Sequence, residues 1–298
     1  MLAPSTVSWF AVVAYIVLFF AVAAGVLILR GKWRHQRPPE RFKLLRGPGE
    51  SQRRRADKIE ESLLYWMIGT AMAPLLVASL LVQTLPYVGP SLVWTQLGVI
   101  LVVFVGGLIL SGAVLYRRLA RWRNEHLGYL GERSVAERLD PLVRAGYRVF
   151  HDIPAEGRQR DFNIDHVVVG PTGVAVVETK AYRKRRGIPG RKEHEITFDG
   201  KRLEFPWGNS EEEIRQAIAA GEWLHEWLKQ RLGQDIVVKS ILTFPGWYVK
   251  ESPSKDLRVV NAKILPDVIR GRDIRVLSDD QIDLIARQLD SLCRDVED

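Results

Sequence analysis

Cysteine is almost missing from this chain. Cys293 stands alone among 298 residues, which excludes a disulfide framework and any Cys-rich zinc site and suits a reducing compartment for the part that carries it. No internal repeat or low-complexity segment stands out. A Walker-type phosphate loop, an HExxH helix and a workable Ser–His–Asp set are also absent, so other hydrolase classes lack support. Residues 63–115 contain no charged side chain, which argues against an ion or proton pathway through that stretch.

What is present is a hydrophobic content of 47% concentrated at the front of the chain. Val7–Leu29 is an apolar run of about 23 residues, enough at ~1.5 Å per residue to cross a hydrocarbon core of about 30 Å. A cleaved signal peptide would carry a basic start and a shorter apolar core, whereas the opening MLAPSTVS is uncharged, so a membrane anchor is expected. Leu63–Leu85, with Pro74 as a kink, and Leu92–Tyr116 are expected to be a second and a third span.

The net charge of +8 is unevenly placed. Residues 30–62 hold 11 Lys/Arg against 5 Asp/Glu, which is +6, while residues 117–298 hold 32 against 30, which is +2. With Arg117, Arg118, Arg121 and Arg123 following the third run, the basic residues flank all three runs on one side. The positive-inside rule then puts the N-terminus outside, residues 31–62 and everything after Arg117 in the cytoplasm, and the uncharged 86–91 turn outside, as expected for a multi-pass protein of a bacterial inner membrane. Residues 31–62, with Pro38-Pro39, Gly47-Pro48-Gly49 and Arg53-Arg54-Arg55, read as a basic loop against anionic lipid, with a nucleic-acid contact as the alternative. Trp9, Tyr87 and Trp94 at one level, and Trp33, Tyr65, Trp66, Tyr116 and Trp122 at the other, read as interfacial belts.

From about Glu125 the pattern is that of a soluble domain. Leu130, Val135, Leu139 and Leu142 recur at near-helical spacing within Gly128–Ala145, an amphipathic helix that carries Glu132 and Glu137 and stops at Gly146. Tyr147–Ile153 reads as a strand. Asp165–Lys180, DHVVVGPTGVAVVETK, places two valine-rich runs around Gly170-Pro171-Thr172-Gly173 and reads as a β-hairpin. A turn centred on Pro171-Thr172 pairs Val169 with Val174, so Asp165 lies opposite Glu178, and alternation puts Lys180 on the face of Glu178. Two close carboxylates at the end of an apolar hairpin repel unless something positive lies between them. A divalent metal would resolve that conflict and could polarise a phosphate and activate a water while Lys180 neutralises developing charge. A structural Asp–Lys–Glu ion-pair cluster is the plainer alternative.

Further on, residues 194–198 and 201–205 around Asp199-Gly200 read as a second hairpin. Ser210 and Glu213 read as a capping box opening a helix to about Leu232, with Ile214, Ala217, Ile218, Gly221, Leu224 and Leu228 on one face and Gln216 off that stripe. Ile236–Phe244 and Leu257–Asn261 read as strands, and Ser278 as the cap of a last helix through Leu292.

This order, together with Gly131-Glu132, the Ile164–Val169 run IDHVVV, Gly173-Val174, Glu178-Thr179-Lys180 and Gln216, resembles the nuclease-related domain, NERD, a branch of the PD-(D/E)xK nuclease superfamily, over roughly Gly128 to Leu265. The resemblance implies an α/β, restriction-endonuclease-like αβββαβ core within a domain at 117–298. An N-terminal three-helix transmembrane region would precede it, made of a first helix at 1–30 and a hairpin at 63–116. It implies Asp165, Glu178 and Glu132 as ligands of Mg²⁺ or Mn²⁺ and Lys180 as the residue that positions water or stabilises the pentacoordinate phosphate. The Thr179 carbonyl would assist, and Gln216 would be a phosphate or site-orienting contact. Two positions depart from the family: Asn209-Ser210 stands where an Asn-Pro pair is common, and Ala220 where some relatives have tyrosine.

Among neighbouring residues, Glu137 competes with Glu132, because five positions along a helix rotate by about 140° and only one of them can face the hairpin. Asp161 reads as a solvated loop acid, and His166, opposite in face to Asp165, as a core residue. Residues 180–192 hold Lys180, Arg183, Lys184, Arg185, Arg186, Arg191 and Lys192 without an acid. Beside a metal site, Arg183, Lys184, Arg185 and Arg186 are expected to contact a nucleic-acid backbone without reading its sequence. Trp207, Trp223 and Trp227 could stack on bases, with packing as the plainer reading. The expected activity is phosphodiester hydrolysis, in DNA, by a membrane-anchored protein. The alternatives are a catalytically inactive module tethering nucleic acid or protein to the membrane, and a membrane scaffold.

Overall fold

Two long helices, Glu50–Val82 (α1) and Val93–Arg144 (α2), lead the chain into a mixed α/β domain. The computed structural model describes residue 25 and residues 43–296 apart from 88, 157–161, 185–186, 253 and 273. Leu45–Asp295 forms one compact unit. The expected first span at Val7–Leu29, residue 25 excepted, and loop residues 31–42 lie outside the described residues.

Both helices differ from the sequence-based boundaries. The second span was expected from Leu63, but α1 begins at Glu50, so the Arg53-Arg54-Arg55 run is helical rather than part of a loop. Glu50 sits in the first turn, where negative charge suits the N-terminus, and its carboxylate pairs with Arg53 at 3.0 Å and Arg54 at 2.9 Å, the i+3 and i+4 partners. The third span and the Gly128–Ala145 helix, expected to be separate, are one 52-residue helix. Residues 117–127 contain no Gly or Pro to interrupt it, so nothing in the backbone breaks the helix where the charge begins.

α1 and α2 turn back on each other through the 3₁₀ turns Leu85–Tyr87 and Pro90–Leu92. Gly107 lets Pro74 close to a distance that leaves a Cβ only 3.1 Å, and the Arg118 guanidinium lies 3.9 Å over the Trp66 ring. Leu80, Val102 and Ile109 are more than half exposed. By length and composition, α1 and α2 are able to cross a membrane.

The domain is built on a five-stranded sheet. Its strands are Arg148–Ala155 (β1), Phe162–Gly170 (β2), Gly173–Thr179 (β3), Val238–Thr243 (β7) and Arg258–Val260 (β9), in the order β9-β7-β3-β2-β1. β1, β2 and β3 are antiparallel neighbours, and β7 and β9 add in parallel. The hairpin register is that expected from the turn, with Val169 on Val174 and His166 on Val177. Its valines face two ways. Val167, Val169, Val174 and Val176 pack with Leu224 and Leu228 of helix Glu212–Leu232 (α3) and with Ile285 and Leu289 of helix Asp279–Leu292 (α5). Val168, Ala175 and Val177 pack with Val135, Leu139 and Leu142 of α2 and with Leu265 and Ile269 of the short helix Leu265–Arg270 (α4). A valine strand pair buried on both faces accounts for the unbroken apolar run.

A smaller sheet, ordered β6-β5-β4-β8, comprises Glu195–Phe198 (β4), Leu203–Phe205 (β5), Gly208–Ser210 (β6) and Tyr248–Glu251 (β8). The Asp199-Gly200 hairpin is present, but the sequence reading missed β6 and β8. Ser210 ends β6 and is not itself the N-cap of α3. Glu211 is the N-cap, without a side-chain cap bond, while the Ser210 hydroxyl accepts from the Glu212 N–H at 3.3 Å and donates to Glu213 at 2.5 Å, so part of the expected capping is kept from one position further out. Ser278 does form a full capping box with Gln281 at α5.

Candidate functional site

Strand alternation and the hairpin register bring Asp165 and Glu178 to the same end of the central sheet. Each is only 7% exposed. The Thr179 backbone N–H donates to Asp165 Oδ2 at 2.7 Å, and Lys180 Nζ donates to Glu178 Oε1 at 2.8 Å. α2 adds Glu132, which is 2% exposed, while Glu137 points to solvent and lies 3.8 Å from Arg133. The placement of Glu132 depends on a glycine. A Cβ on Gly131 would lie 2.5 Å from Ala181 Cβ, so the Gly131-Glu132 step lets the helix press onto the end of β3.

The three acids act on one another. Burial pushes the Glu132 carboxyl up to about 8, and Asp152 and Glu178 add to the rise. Burial also raises Asp165 well above the usual carboxylate range, helped by Glu178 and Glu132 and opposed by Lys180 and the Thr179 N–H. Burial alone would pull the Lys180 ammonium down, but Glu178 and Asp165 together outweigh it and hold it above its usual value.

Glu132 therefore keeps a proton in the folded chain that the unfolded chain releases above its ordinary value of 4.5. The corresponding stability is complete below that pH and is lost as the pH rises through about 8. With divalent ions chelated, the thermal midpoint of the wild type relative to Glu132→Gln is expected to fall between roughly pH 5 and pH 8, the opposite contributions of His151 and the buried His166 being common to both chains. An equal slope in the variant would show that Glu132 is not its source.

Asp165 and Glu178 open onto a cleft of about 1150 Å³ that they line together with Lys180, Asn163 of β2, and Gln216 and Ala219 of α3. Gln216 sits on the rim, where its amide donates to Glu212 at 2.8 Å. The opposite wall was not anticipated from sequence. Ser51, Gln52 and Arg55 of α1 line the cleft together with Glu125 of α2, in a region read as a lipid-facing loop. Gln52 Nε2 donates to Glu132 Oε1, and Arg55 pairs with Glu125 at 2.8 Å.

Asp152 was not anticipated from sequence either. The pairs His151–His166 and Ile153–Ile164 place it opposite Asp165, so Asp152, Asp165 and Glu178 form a row across three strands. Asp152 is 1% exposed and adopts φ 50°, uncommon outside glycine but tolerated by Asp. Arg46 at 2.9 Å, the Ser51 hydroxyl at 2.8 Å, the Ser51 N–H at 3.1 Å and Asn163 at 3.0 Å all donate to its carboxylate. This one acid ties the start of α1 to the sheet. The sequence signal for it was weak: an acid near the end of a strand.

Other expected site residues separate. His166 is buried against His151, with their Nδ1 atoms 2.8 Å apart, and burial holds it well below its usual pKa, as suits a core residue. Arg183 donates to the Arg123 carbonyl at 3.3 Å and Lys184 is exposed, while Arg185, Arg186 and Asp161 lie outside the described residues. Arg191 and Lys192 are engaged within the fold. Arg191 donates to the carbonyls of Phe205 and Gly208 and to Asn209, and Lys192 pairs with Glu195. Trp207 packs against Phe205 and Trp247, and Trp223 donates to the Glu156 carbonyl.

In donor chemistry the acids fit a hard divalent cation. They are carboxylates, and Glu132 Oε2 is buried with no hydrogen-bond partner. Among the described residues, no three His, Cys, Asp or Glu groups close around a common point. The acids are turned to protein donors instead: Glu132 to Gln52, Asp165 to the Thr179 N–H and Glu178 to Lys180.

Residues 127–245 match the family model of the nuclease-related domain, which supports a nuclease-like function at family level. The matched region contains Glu132, Asp165, Glu178, Lys180 and Gln216 and leaves out all of α1. Over 81 residues, 27% of this chain, the sequence is 33% identical to an uncharacterized protein of Bacillus anthracis. The aligned part is 36% of that protein, so this chain spans about a third of its length. No solved structure matches.

Proposed function

We propose that the protein is a membrane-anchored, divalent-metal-dependent nuclease of restriction-endonuclease-like fold that hydrolyses phosphodiester bonds in DNA. The observation that carries this reading is the meeting of Asp165, Glu178 and Lys180 at one cleft, with Glu132 buried behind it and its carboxyl pushed up by that burial and by Glu178, inside the region that matches the nuclease-related domain. When bound, Mg²⁺ or Mn²⁺ would be held by Asp165, Glu178 and Glu132 and would supply Lewis-acid polarisation of the phosphate. Asp165, held by the Thr179 N–H, is rigidly presented to the cleft. Lys180 carries the positive charge that meets charge developing on the phosphate, and Gln216 offers an amide at the rim for orienting the strand. Arg183, Lys184, Arg185 and Arg186 follow directly on Lys180 and would neutralise the nucleic-acid backbone.

The apolar, outward-facing surfaces of α1 and α2 support a membrane-crossing hairpin. Val7–Leu29 would make a third span, with the N-terminus outside and the nuclease-like domain in the cytoplasm. A second reading, a catalytically silent module that tethers nucleic acid or protein, draws on the direct Lys180–Glu178 pairing and the absence of a closed three-ligand cage among the described residues.

The deciding experiment uses the full chain in detergent, because α1 supplies one wall of the cleft. Plasmid, linear and single-stranded DNA and RNA are incubated with Mg²⁺, Mn²⁺ or EDTA, beside Glu178→Ala and Lys180→Ala. Metal-dependent cleavage lost in both variants supports the enzyme and reports its substrate. A wild type as inert as both variants that still binds DNA with a steep salt dependence replaces the enzyme with the tether.

A further inference from the structure

Outside the matched region, the start of α1 meets the acidic site through one side chain. Gln52 lines the cleft, whereas Glu132 does not line it and lies behind, bonded to Gln52 Nε2. Among the described residues, two oxygens at this junction are buried with no hydrogen-bond partner of good geometry, Glu132 Oε2 and Gln52 Oε1, although the Gly49 N–H lies close enough to hold the Glu132 carboxyl down in part. An unpaired buried polar atom costs roughly 1–3 kcal/mol, and a native structure that carries two on one pair of touching side chains calls for something to satisfy them. A carboxylate oxygen and an amide carbonyl are both ligands of hard divalent cations.

The contact is seated by close backbone approach and does not depend on a flexible reach. A Cβ on Gly49 would lie 2.9 Å from the Tyr129 ring, and one on Gly128 3.3 Å from Gln52 Cγ. Gly49 itself has φ 69°, a left-handed backbone that suits glycine. Asp152 clamps the turn from below through Arg46 and Ser51. Gln52 and Arg55, three positions apart, share a face of α1, so the same turn presents an amide and a guanidinium to the cleft.

We propose that Gln52 belongs to the metal site: its side-chain carbonyl joins the Glu132 carboxylate as a ligand for the divalent cation, so the helix that begins the apolar hairpin completes the nuclease-like centre. This rests on the reading of the acids as a metal site. Under it, residues 127–245 alone hold an incomplete donor set, and the apolar hairpin is continuous with a ligand. A tilt or shift of α1 would then alter cation affinity directly.

The test measures Mn²⁺ binding to the full chain in detergent by electron paramagnetic resonance, with thermal unfolding in EDTA as the folding control. Gln52→Ala is expected to weaken Mn²⁺ binding by about 10-fold or more while remaining folded. Gln52→Glu, which keeps an oxygen at the same reach and adds charge, is expected to restore or exceed wild-type affinity, and this arm stands even if the alanine variant unfolds. Wild-type affinity in Gln52→Ala, or a loss in Gln52→Glu equal to that in Gln52→Ala, overturns the assignment of Gln52 and leaves the acidic site standing. A wild-type chain that takes up no Mn²⁺ overturns the metal site and this ligand with it.

Discussion

Under the proposed nuclease activity, Lys180→Ala is expected to lower kcat for metal-dependent cleavage by about 10²–10³-fold, or ~3–4 kcal/mol, the effect of removing one preorganised donor from a site of developing negative charge. The size follows from the setting of the ammonium. Its side chain is 23% exposed, it lies 2.8 Å from Glu178, and Glu178 and Asp165 keep it charged. Little water is available to substitute for it. Lys180→Arg is expected to recover only a small part, because a planar fork does not reproduce a compact point charge at that reach. Removing Lys180 also strips Glu178 of its partner and destabilises the chain, so rates belong at temperatures well below the variant's unfolding midpoint. Equal kcat for Lys180→Ala and a cleaving wild type would remove Lys180 from the chemistry.

A comparable effect on stability is expected from a residue with no chemistry at all. A Cβ on Gly170, at the end of β2, would sit 2.0 Å from Tyr147 Cδ1 and 2.4 Å from Cε1, distances at which something must move. The ring has nowhere to go. Tyr147 is 5% exposed, its hydroxyl lies 3.1 Å from Thr172 Oγ1, and Thr172 in turn donates to the Ile269 carbonyl at 3.0 Å. Gly170→Ala should therefore cost overpacking of about 1–3 kcal/mol plus the hydrogen bonds that a displaced ring breaks, together about 3–5 kcal/mol. For a unit of this size that lowers the thermal midpoint by roughly 10 °C. Adding Tyr147→Leu should make the double variant less unstable than the two single changes summed, by more than about 1 kcal/mol, because both act on one contact. A Gly170→Ala midpoint within a degree of wild type would show that the ring is free to swing aside.

Local chemistry settled a definite part of this protein before any coordinates. A Gly-Pro-Thr-Gly turn between β-branched runs determines the hairpin register, since a slip of one residue would send each valine to the wrong face. From that register the opposition of Asp165 and Glu178 and the position of Lys180 follow. The apolar content of residues 63–82 and 93–116, the capping of α5 by Ser278 and the α, β, β, β, α, β order were equally legible, because each depends on residues near one another in sequence.

What the sequence could not decide was set by contacts between distant segments. Glu132 and Glu137 are equivalent until α2 is docked, and it is the missing side chain of Gly131 against Ala181 that turns Glu132 inward. Helix ends were misjudged at 50–62 and 117–127 because composition changes there while backbone propensity does not. Arg191 and Lys192 looked free until the second sheet and its loop engaged them. Ser51, Gln52 and Arg55 carry no local signal of a site. They reach the cleft only because Arg46, Ser51 and Asn163 converge on Asp152, more than 100 residues from the start of α1. Periodicity and turn chemistry are local and can be read from one segment, whereas which face of a helix meets which strand depends on the packing energy of the whole unit.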